Sequence, residues 1–340
     1  MKKAIITEYG GPEVLQIEQQ AQKPEPKAGE VRVKVLFTTV NFTDIMIRKG
    51  MYPEVKQKPP FAPGYEMAGI VDKTGGDVTN FSEGQRVAAM TVIGASAEYL
   101  CVPAQNLVSL PETLDAKAAT AVILTYTTAW QLLHRIARVK QGQRILIHGA
   151  GGAVGRAMLE LGRMQGLHMY GTASKARHEM LAGYGATPID YRNEDFVARI
   201  KNQEAYGLDA VFDPIGGSNF KKSFSLLRKG GTLVAYGFYN AVMGKGGNIP
   251  MDFMRLQIWN MLPNKRKAVF YSIGSLRKKH PGWFKADLQQ LFRLLGEGKI
   301  TPLIGQTFPL EHIVEAHKAF EESRLTGKIL IQVHHEAQPG

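Results

Sequence analysis

One cysteine in 340 residues, Cys101, excludes an internal disulfide and any zinc or iron–sulfur site built from several thiolates. Long apolar runs are missing too: AATAVIL, residues 118–124, is about the longest, far short of the ~18–20 residues of a membrane span. The 36 glycines and 17 prolines follow no triplet period, which excludes a collagen-like fibre, and no internal repeat or low-complexity tract is evident. Acidic residues are in the minority, 30 Asp and Glu against 42 Lys and Arg, for a formal net charge of +12. Such an excess favours anionic partners in general. Yet no cationic run exceeds three residues (Lys265–Lys267, Arg277–Lys279), and few aromatics neighbour them. The charge therefore reads as a solvated basic face, and no specific nucleic-acid partner is expected. Met1-Lys2-Lys3 looks like the start of a secretion signal, but Glu8, Glu13 and Glu18 interrupt what should be an apolar stretch. The chain reads as cytoplasmic.

What is present is an ordinary globular composition, 44% hydrophobic and 21% charged, at a length that suggests two domains at roughly 150 residues each. The first ~110 residues are rich in short strands with glycine and proline turns (KKAIITEY, VLQIEQQ, EVRVKVLFTTVN, EMAGIVDKTG, QRVAAM), the texture of a barrel-like β domain. Near residue 115 the texture changes. Asp115 can cap a helix over AKAATAVIL, and a second amphipathic helix is expected over TTAWQLLHRIARV. Strands and helices then alternate from RILIHG to GTLVAYGF, which implies a doubly wound parallel sheet. After the loop MGKGGNIP come the strand KAVFYSIG, the helix WFKADLQQLFRLLGEG and a final strand GKILIQV. The two ends of the chain resemble each other more than either resembles the middle. The expected α/β architecture is thus a discontinuous β domain, residues 1–124 and 274–340, around a nucleotide domain, 125–273.

The strongest local signal is RILIHGAGGAVG. An apolar strand leads into Gly149, Gly151, Gly152, Ala153, Val154 and Gly155, and a helix starts at once. Glycines permit the tight turn and the close approach of a diphosphate, while the helix N-terminus supplies N–H donors and a favourable dipole. The second strand, HMYGTA, ends at Ala173, where an NAD-binding chain carries an acid for the ribose hydroxyls. Ser174, Lys175 and Arg177 follow instead, and Tyr191 closes the third strand. A missing carboxylate and added cations both favour a 2′-phosphate, hence NADPH.

With these residues in view, the chain resembles the zinc-independent quinone oxidoreductases of the medium-chain dehydrogenase/reductase superfamily, from Met1 to about Val333. The segments that carry the resemblance are VNFTDIMIRKGMYP, PGYEMAG, LTYTTAW, GAGGAVG, DPIGG, YGFYNA and TGKIL. It implies a GroES-like catalytic domain, a Rossmann domain with a cleft between them, and a homodimer in which KAVFYS, specifically Val269–Ser272, pairs edge to edge with its copy. It also implies that no metal is used. Zinc-dependent relatives have Cys, His and Cys where Asn41, Tyr65 and Leu124 stand here, and their four-cysteine lobe is missing. The histidines, His148 and His317 among them, are scattered through predicted core or helix surface, and His334-His335 read as a solvated pair.

Without a Lewis acid, the less demanding chemistry is hydride addition to a quinone or to the β carbon of an α,β-unsaturated carbonyl. The resemblance assigns Asn41 and Tyr52 to the catalytic site, Asn41 hydrogen-bonding ligand oxygens and Tyr52 polarising or protonating the acceptor. It assigns Thr125, Thr128, Gly237, Phe238 and Lys328 to the cofactor. An Asn at 41 also suits a turn cap, and a Tyr at 52 suits an aromatic wall. Met46 stands where several quinone reductases have a second tyrosine, which makes the acceptor site greasier. The segment NKRKAVFYSIGSLRKKHPGWF is closer to vesicle-amine-transport-like and enone-reducing members. Two other readings stay open: an enoyl-thioester (enoyl-CoA) reductase using Lys56, Lys58 and Arg277–Lys279 at a basic entrance, and a non-catalytic NADPH-binding protein.

Overall fold

The computed structural model describes residues 1–322 and 326–335. From the N-terminus come β1 (Lys3–Ile6), β2 (Leu15–Glu18), β3 (Glu30–Val40), α1 (Phe42–Arg48), β4 (Glu66–Thr74), β5 (Arg86–Met90), β6 (Tyr99–Pro103), β7 (Leu107–Ser109) and α2 (Ala116–Trp130). The middle of the chain forms β8 (Arg144–Ile147), α3 (Ala153–Met164), β9 (His168–Ala173), α4 (His178–Gly183), β10 (Ala186–Asp190), α5 (Phe196–Gln203) and β11 (Leu208–Asp213). It continues with α6 (Ser218–Ser225), β12 (Leu227–Ala235), α7 (Tyr239–Val242), α8 (Ile249–Met261), β13 (Lys267–Phe270) and α9 (Ile273–Lys279). The last elements are α10 (Pro281–Gly296), β14 (Ile304–Pro309), α11 (Ile313–Glu321) and β15 (Lys328–Gln332).

Two units divide the chain, Met1–Leu124 with Lys285–Gly340, and Thr125–Phe284. The sequence reading returns to the first domain at residue 274; the structure does so at Lys285. The reason lies in local packing. Arg135 lies over the Trp283 ring, 4.8 Å from its centroid, and Arg277 over Phe284 at 5.9 Å, so α9 and the first turn of α10 stay with the middle of the chain.

In the first unit a seven-stranded sheet runs β14-β15-β3-β4-β5-β7, with β6 also pairing β3, beside a two-stranded β1-β2 sheet. β3 is its spine. Val31, Val33 and Val35 pack with Met67, Val87 and Leu107, while Leu36 and Phe37 pack with Ala116 and Leu330, so the strand is buried on both faces. Gly69 is needed where β4 crosses β3, because a Cβ there would stand 2.3 Å from Lys34 O; the register shifts at this point.

The second unit is a six-stranded parallel sheet in the order β10-β9-β8-β11-β12-β13, the doubly wound arrangement expected. Strand order reverses between β8 and β11, so the loops after those strands diverge and leave a crevice at the carboxyl edge. Leu146, Val211, Leu233 and Phe220 are fully buried in its core.

Three local differences from the sequence reading stand out. Asp115 does cap α2, accepting from Ala118 N at 2.7 Å, but α2 runs on into a π-helical turn, Gln131–Ala137, as one rod rather than two helices. Secondly, β12 begins at Leu227, four residues ahead of the GTLVAYGF segment read as a strand. Thirdly, α8 is a helix that the pattern does not announce. Asn248 caps it through Met251 N at 3.0 Å, and Pro250 sits in its first turn. Its apolar residues point both ways: Leu256 is buried, whereas Met254 and Met261 are exposed, so no single-faced helical period shows. From α8, Asn260 reaches the outer strand β13, where its amide accepts from Ala268 N at 2.8 Å and donates to Ala268 O at 2.6 Å.

Candidate active site

The end of β3, the first residue of β4 and the first residue of β15 meet in the first unit, because β3 pairs antiparallel with both other strands. That junction carries Asn41, Glu66 and Lys328. Glu66 is completely buried and accepts from Thr39 Oγ1 at 2.5 Å, from the backbone N–H of Leu124 at 2.5 Å, and from the Lys328 ammonium at 2.8 Å. Lys328, itself 5% exposed, also donates to Asn41 Oδ1. The Asn41 amide hydrogens are shared among Thr39 Oγ1 at 2.8 Å, Asp44 Oδ2 at 3.1 Å and Glu66 Oε1 at 3.2 Å. Asn41 is the N-cap of α1, and its backbone N–H donates to Asp44 Oδ2 at 2.9 Å. Its amide is thus committed within the chain, and what it can still offer outward is a lone pair on Oδ1. Lys328, placed with the cofactor by the resemblance, has its ammonium taken up by this cluster.

Burial pushes the Asp44 carboxyl up to about 7, against the lowering effect of its bonds from Asn41. Its Oδ1 has no partner among the described residues, which suits a protonated acid better than a carboxylate. A raised folded-state pKa contributes stability that is full below ~pH 4 and is lost as pH rises through about 7. Asp44→Asn removes that dependence. The gap in melting temperature between variant and wild type, measured by calorimetry from pH 5 to 8, is expected to move in favour of the variant as pH rises; a constant gap refutes the assignment.

The second feature of this unit is a tyrosine pair. Tyr52 Oη and Tyr65 Oη lie 2.6 Å apart, with the rings edge to face at 5.7 Å. Tyr52 is half-buried and Tyr65 fully buried. Met51 N bonds back to Met46 O at 2.8 Å, which turns the chain out of α1 and delivers Tyr52. Tyr65 O accepts from Thr91 N at 2.8 Å and Val92 N at 3.0 Å, and Val92 holds a φ of 71°, a rare conformation for a β-branched residue.

In the second unit the glycine loop links β8 to α3. Gly149 has a φ of 63°, and Gly152 is the helix N-cap. A Cβ on Gly155 would lie 2.5 Å from Gly149 O and 2.6 Å from Ala150 Cα, so only glycine permits this contact between helix and loop. Ala153 and Val154 form the first helical turn, whose N–H groups point toward the loop. Beneath it Gly149 N donates to Thr172 Oγ1 at 3.3 Å, and Thr172 Oγ1 pairs with His148 Nδ1 at 3.1 Å. His148 Nε2 pairs with Ser223 Oγ at 3.1 Å, and Ser223 donates to Asp213 Oδ2 at 2.6 Å. Burial lowers the His148 pKa and favours the neutral ring, which links the loop to Ser223 and Asp213.

Pairing of Ala173 with Asp190 brings the ends of β9 and β10 side by side, and with them Ser174 and Tyr191. Tyr191 and Lys175 are exposed. Arg177 reaches back and donates from Nη1 to Gly151 O at 3.0 Å. At the end of β12 a Cβ on Gly237 would stand 2.9 Å from Pro214 O, while the Phe238 ring stacks on Phe270 at 5.0 Å within the core, leaving only backbone to bound a ligand. Thr125 and Thr128 are buried in α2.

Glu66, Asp44, Tyr65 and His148 have places in these arrangements that the sequence reading leaves unassigned, although PGYEMAG contains Glu66 and Tyr65. Among the described residues no group of three or more His, Cys, Asp or Glu could hold a metal ion, and no helix is long and apolar enough to cross a membrane.

Two families match: residues 27–112 the alcohol dehydrogenase GroES-like domain, and residues 184–331 the family described as zinc-binding dehydrogenase. Human quinone oxidoreductase is 31% identical over 341 residues, covering 97% of each chain. The zebrafish synaptic vesicle membrane protein VAT-1 homolog is 30% identical over 338 residues, 96% of this chain and 69% of that one. The crystal structure of Escherichia coli quinone oxidoreductase complexed with NADPH superposes with a TM-score of 0.85 at 25% identity, covering 98% of this chain and 100% of that one. A GroES-like unit, a parallel Rossmann sheet with a glycine loop at its switch point, and this level of identity along the whole length place the chain in the medium-chain dehydrogenase/reductase superfamily, within the quinone oxidoreductase and VAT-1 group.

Proposed function

We propose that the protein is an NADPH-dependent, metal-free reductase that transfers hydride to a quinone or an α,β-unsaturated carbonyl. One observation carries the reading: at the position of a metal ligand in zinc-dependent relatives, Asn41 is bonded to a buried Lys328–Glu66 ion pair. A fixed positive charge already occupies this junction, and Asn41 and Leu124 offer it no thiolate. The glycine loop fits a dinucleotide, since a left-handed Gly149 makes the tight turn, Gly155 lets α3 pack close against it, and the N–H groups of the first helical turn face the loop. NADPH supplies the hydride when bound. Ser174, Lys175, Arg177 and Tyr191 hold the 2′-phosphate, Gly237 and Phe238 bound the ring through their backbone, and Thr125 and Thr128 contact the same cofactor.

Toward the acceptor, Tyr52 donates to the oxygen on which negative charge develops and gives it a proton. Tyr65, at 2.6 Å, orients that hydroxyl and can restore the proton. Asn41 acts as a positioning residue. The test is a screen of NADPH oxidation against quinones, enones, enals and enoyl-CoA. Turnover of a quinone or enone supports the reading; turnover of enoyl-CoA alone favours the thioester reductase; binding without oxidation of any acceptor leaves a non-catalytic binding protein. Tyr52→Phe is expected to lower kcat for an enone about tenfold and for a quinone less, because aromatisation drives the latter and solvent replaces part of the lost donor. If Phe matches the wild type on both while Ala raises KM, Tyr52 is only a wall.

A homodimer belongs to the same proposal. β13 is the outer strand of its sheet, and Tyr271 N bonds inward to Ala235 O at 2.7 Å. Asn260 closes Ala268, so strand pairing falls to the neighbouring outward-facing position, Phe270. Tyr271 and Ser272 lie beyond the strand, with Ser272 capping α9. Phe270→Pro deletes the outward donor and is expected to convert a dimer to monomer or aggregate; a wild type that light scattering finds monomeric at micromolar concentration overturns the idea.

A further inference from the structure

We infer that Gly151 is a specificity residue: it lacks a side chain to make room for Arg177, and through Arg177 it sets the preference for a phosphorylated over an unphosphorylated dinucleotide. The inference rests on the NADPH reading above.

The glycines of the loop are glycines for different reasons. Gly149 needs its left-handed φ of 63°. Gly155 is excluded from carrying a Cβ by backbone, 2.5 Å from Gly149 O. A Cβ on Gly152 would sit 3.3 Å from Gly149 O, again a contact with the loop itself. Gly151 differs from all of these. It has no positive φ, and the three atoms nearest its missing Cβ all belong to Arg177 and none to the loop beyond its chain neighbours. What a Cβ there would meet is the Arg177 side chain, with Cδ at 2.4 Å and Nε at 3.4 Å. Cδ belongs to the stem of the side chain, so a methyl group moves the whole guanidinium and not just its tip.

The same residue also holds Arg177 in place. Nη1 donates to Gly151 O at 3.0 Å, so the guanidinium is tied across the glycine loop although Arg177 belongs to the turn after the next strand, Lys175–Arg177. A guanidinium fixed beforehand by one of its N–H groups loses less rotamer freedom when the others meet a phosphate. Lys175, two positions earlier, is exposed and makes no such bond among the described residues. Gly151 thus supplies both the space and the acceptor that make Arg177 a preset anion ligand, a role separate from the approach of a diphosphate to the loop.

The test is a cofactor titration, read by quenching of protein fluorescence, on wild type, Gly151→Ala, Arg177→Ala and the double variant. Gly151→Ala is expected to weaken NADPH about tenfold more than NADH, and the same substitution made on top of Arg177→Ala to add little discrimination. Equal losses for both dinucleotides, or a Gly151→Ala effect that persists undiminished without Arg177, assign the glycine to the diphosphate and overturn the inference alone. A wild type that binds both dinucleotides equally overturns the NADPH reading and the inference with it.

Discussion

Lys328→Met is expected to lower the thermal midpoint by on the order of 10 °C, the largest effect of any single substitution considered. Lys328 and Glu66 are 5% and 0% exposed, and their charged atoms stand 2.8 Å apart. Removing one member of a buried ion pair leaves the other uncompensated, at a cost of about 3–5 kcal/mol, and each kcal/mol moves the midpoint of a domain this size by roughly 2–4 °C. The loss is not that of a favourable bond alone. Glu66 keeps its bonds from Thr39 and Leu124, but it keeps them as a carboxylate with no cation in a dry site. Glu66→Gln in the Lys328→Met background is therefore expected to recover part of the loss, because the amide carries no charge: its oxygen can still accept from Leu124 N while its NH2 takes the place facing Thr39 Oγ1, which can turn to accept. Scanning calorimetry on the single and double variants decides it. A shift below about 2 °C for Lys328→Met, or no recovery in the double variant, shows that the pair is solvated and not the buried anchor of Asn41.

The second large effect concerns the cofactor. Lys175→Ala with Arg177→Ala is expected to weaken NADPH about 100-fold, because each charge-assisted hydrogen bond to a phosphate contributes about 1.5–3 kcal/mol. NADH is expected to lose far less, since its ribose offers hydroxyls there. The difference should also shrink in high salt, because Lys175 is exposed and screened by it. Titrations of both dinucleotides at low and high ionic strength provide the measurement. Parallel losses for the two cofactors would mean that these cations hold the loop together and do not read the phosphate.

Much of this was legible in the chain because it depends on local spacing. The alternation of strand and helix from Arg144 to Ala235, and glycines placed between a strand and a helix, are patterns of period and turn chemistry, and the parallel sheet follows from them. The lack of acid at Ala173 and the cations after it are equally local. α8 was hidden because it is apolar on opposite sides, and β12 was shortened because Leu227–Gly230 lacks the alternation of a strand.

Composition and order alone determined that this chain has one cysteine, cannot build a multi-thiolate site, and carries the strand–glycine–helix signature of a dinucleotide cradle. Tertiary structure decided which distant residues share a bond. Lys328 lies 287 positions from Asn41, and they meet because β15 and β3 are antiparallel neighbours. Tyr65 joins Tyr52 across 13 positions, and Asn260 closes Ala268 across 8, neither at a spacing that a helix or strand period predicts. The partner of a buried polar group is set by which elements pack against it, since a low-dielectric interior penalises any charge or amide left unpaired. That demand fixes Lys328 on Glu66, and no property of either residue's own segment announces it.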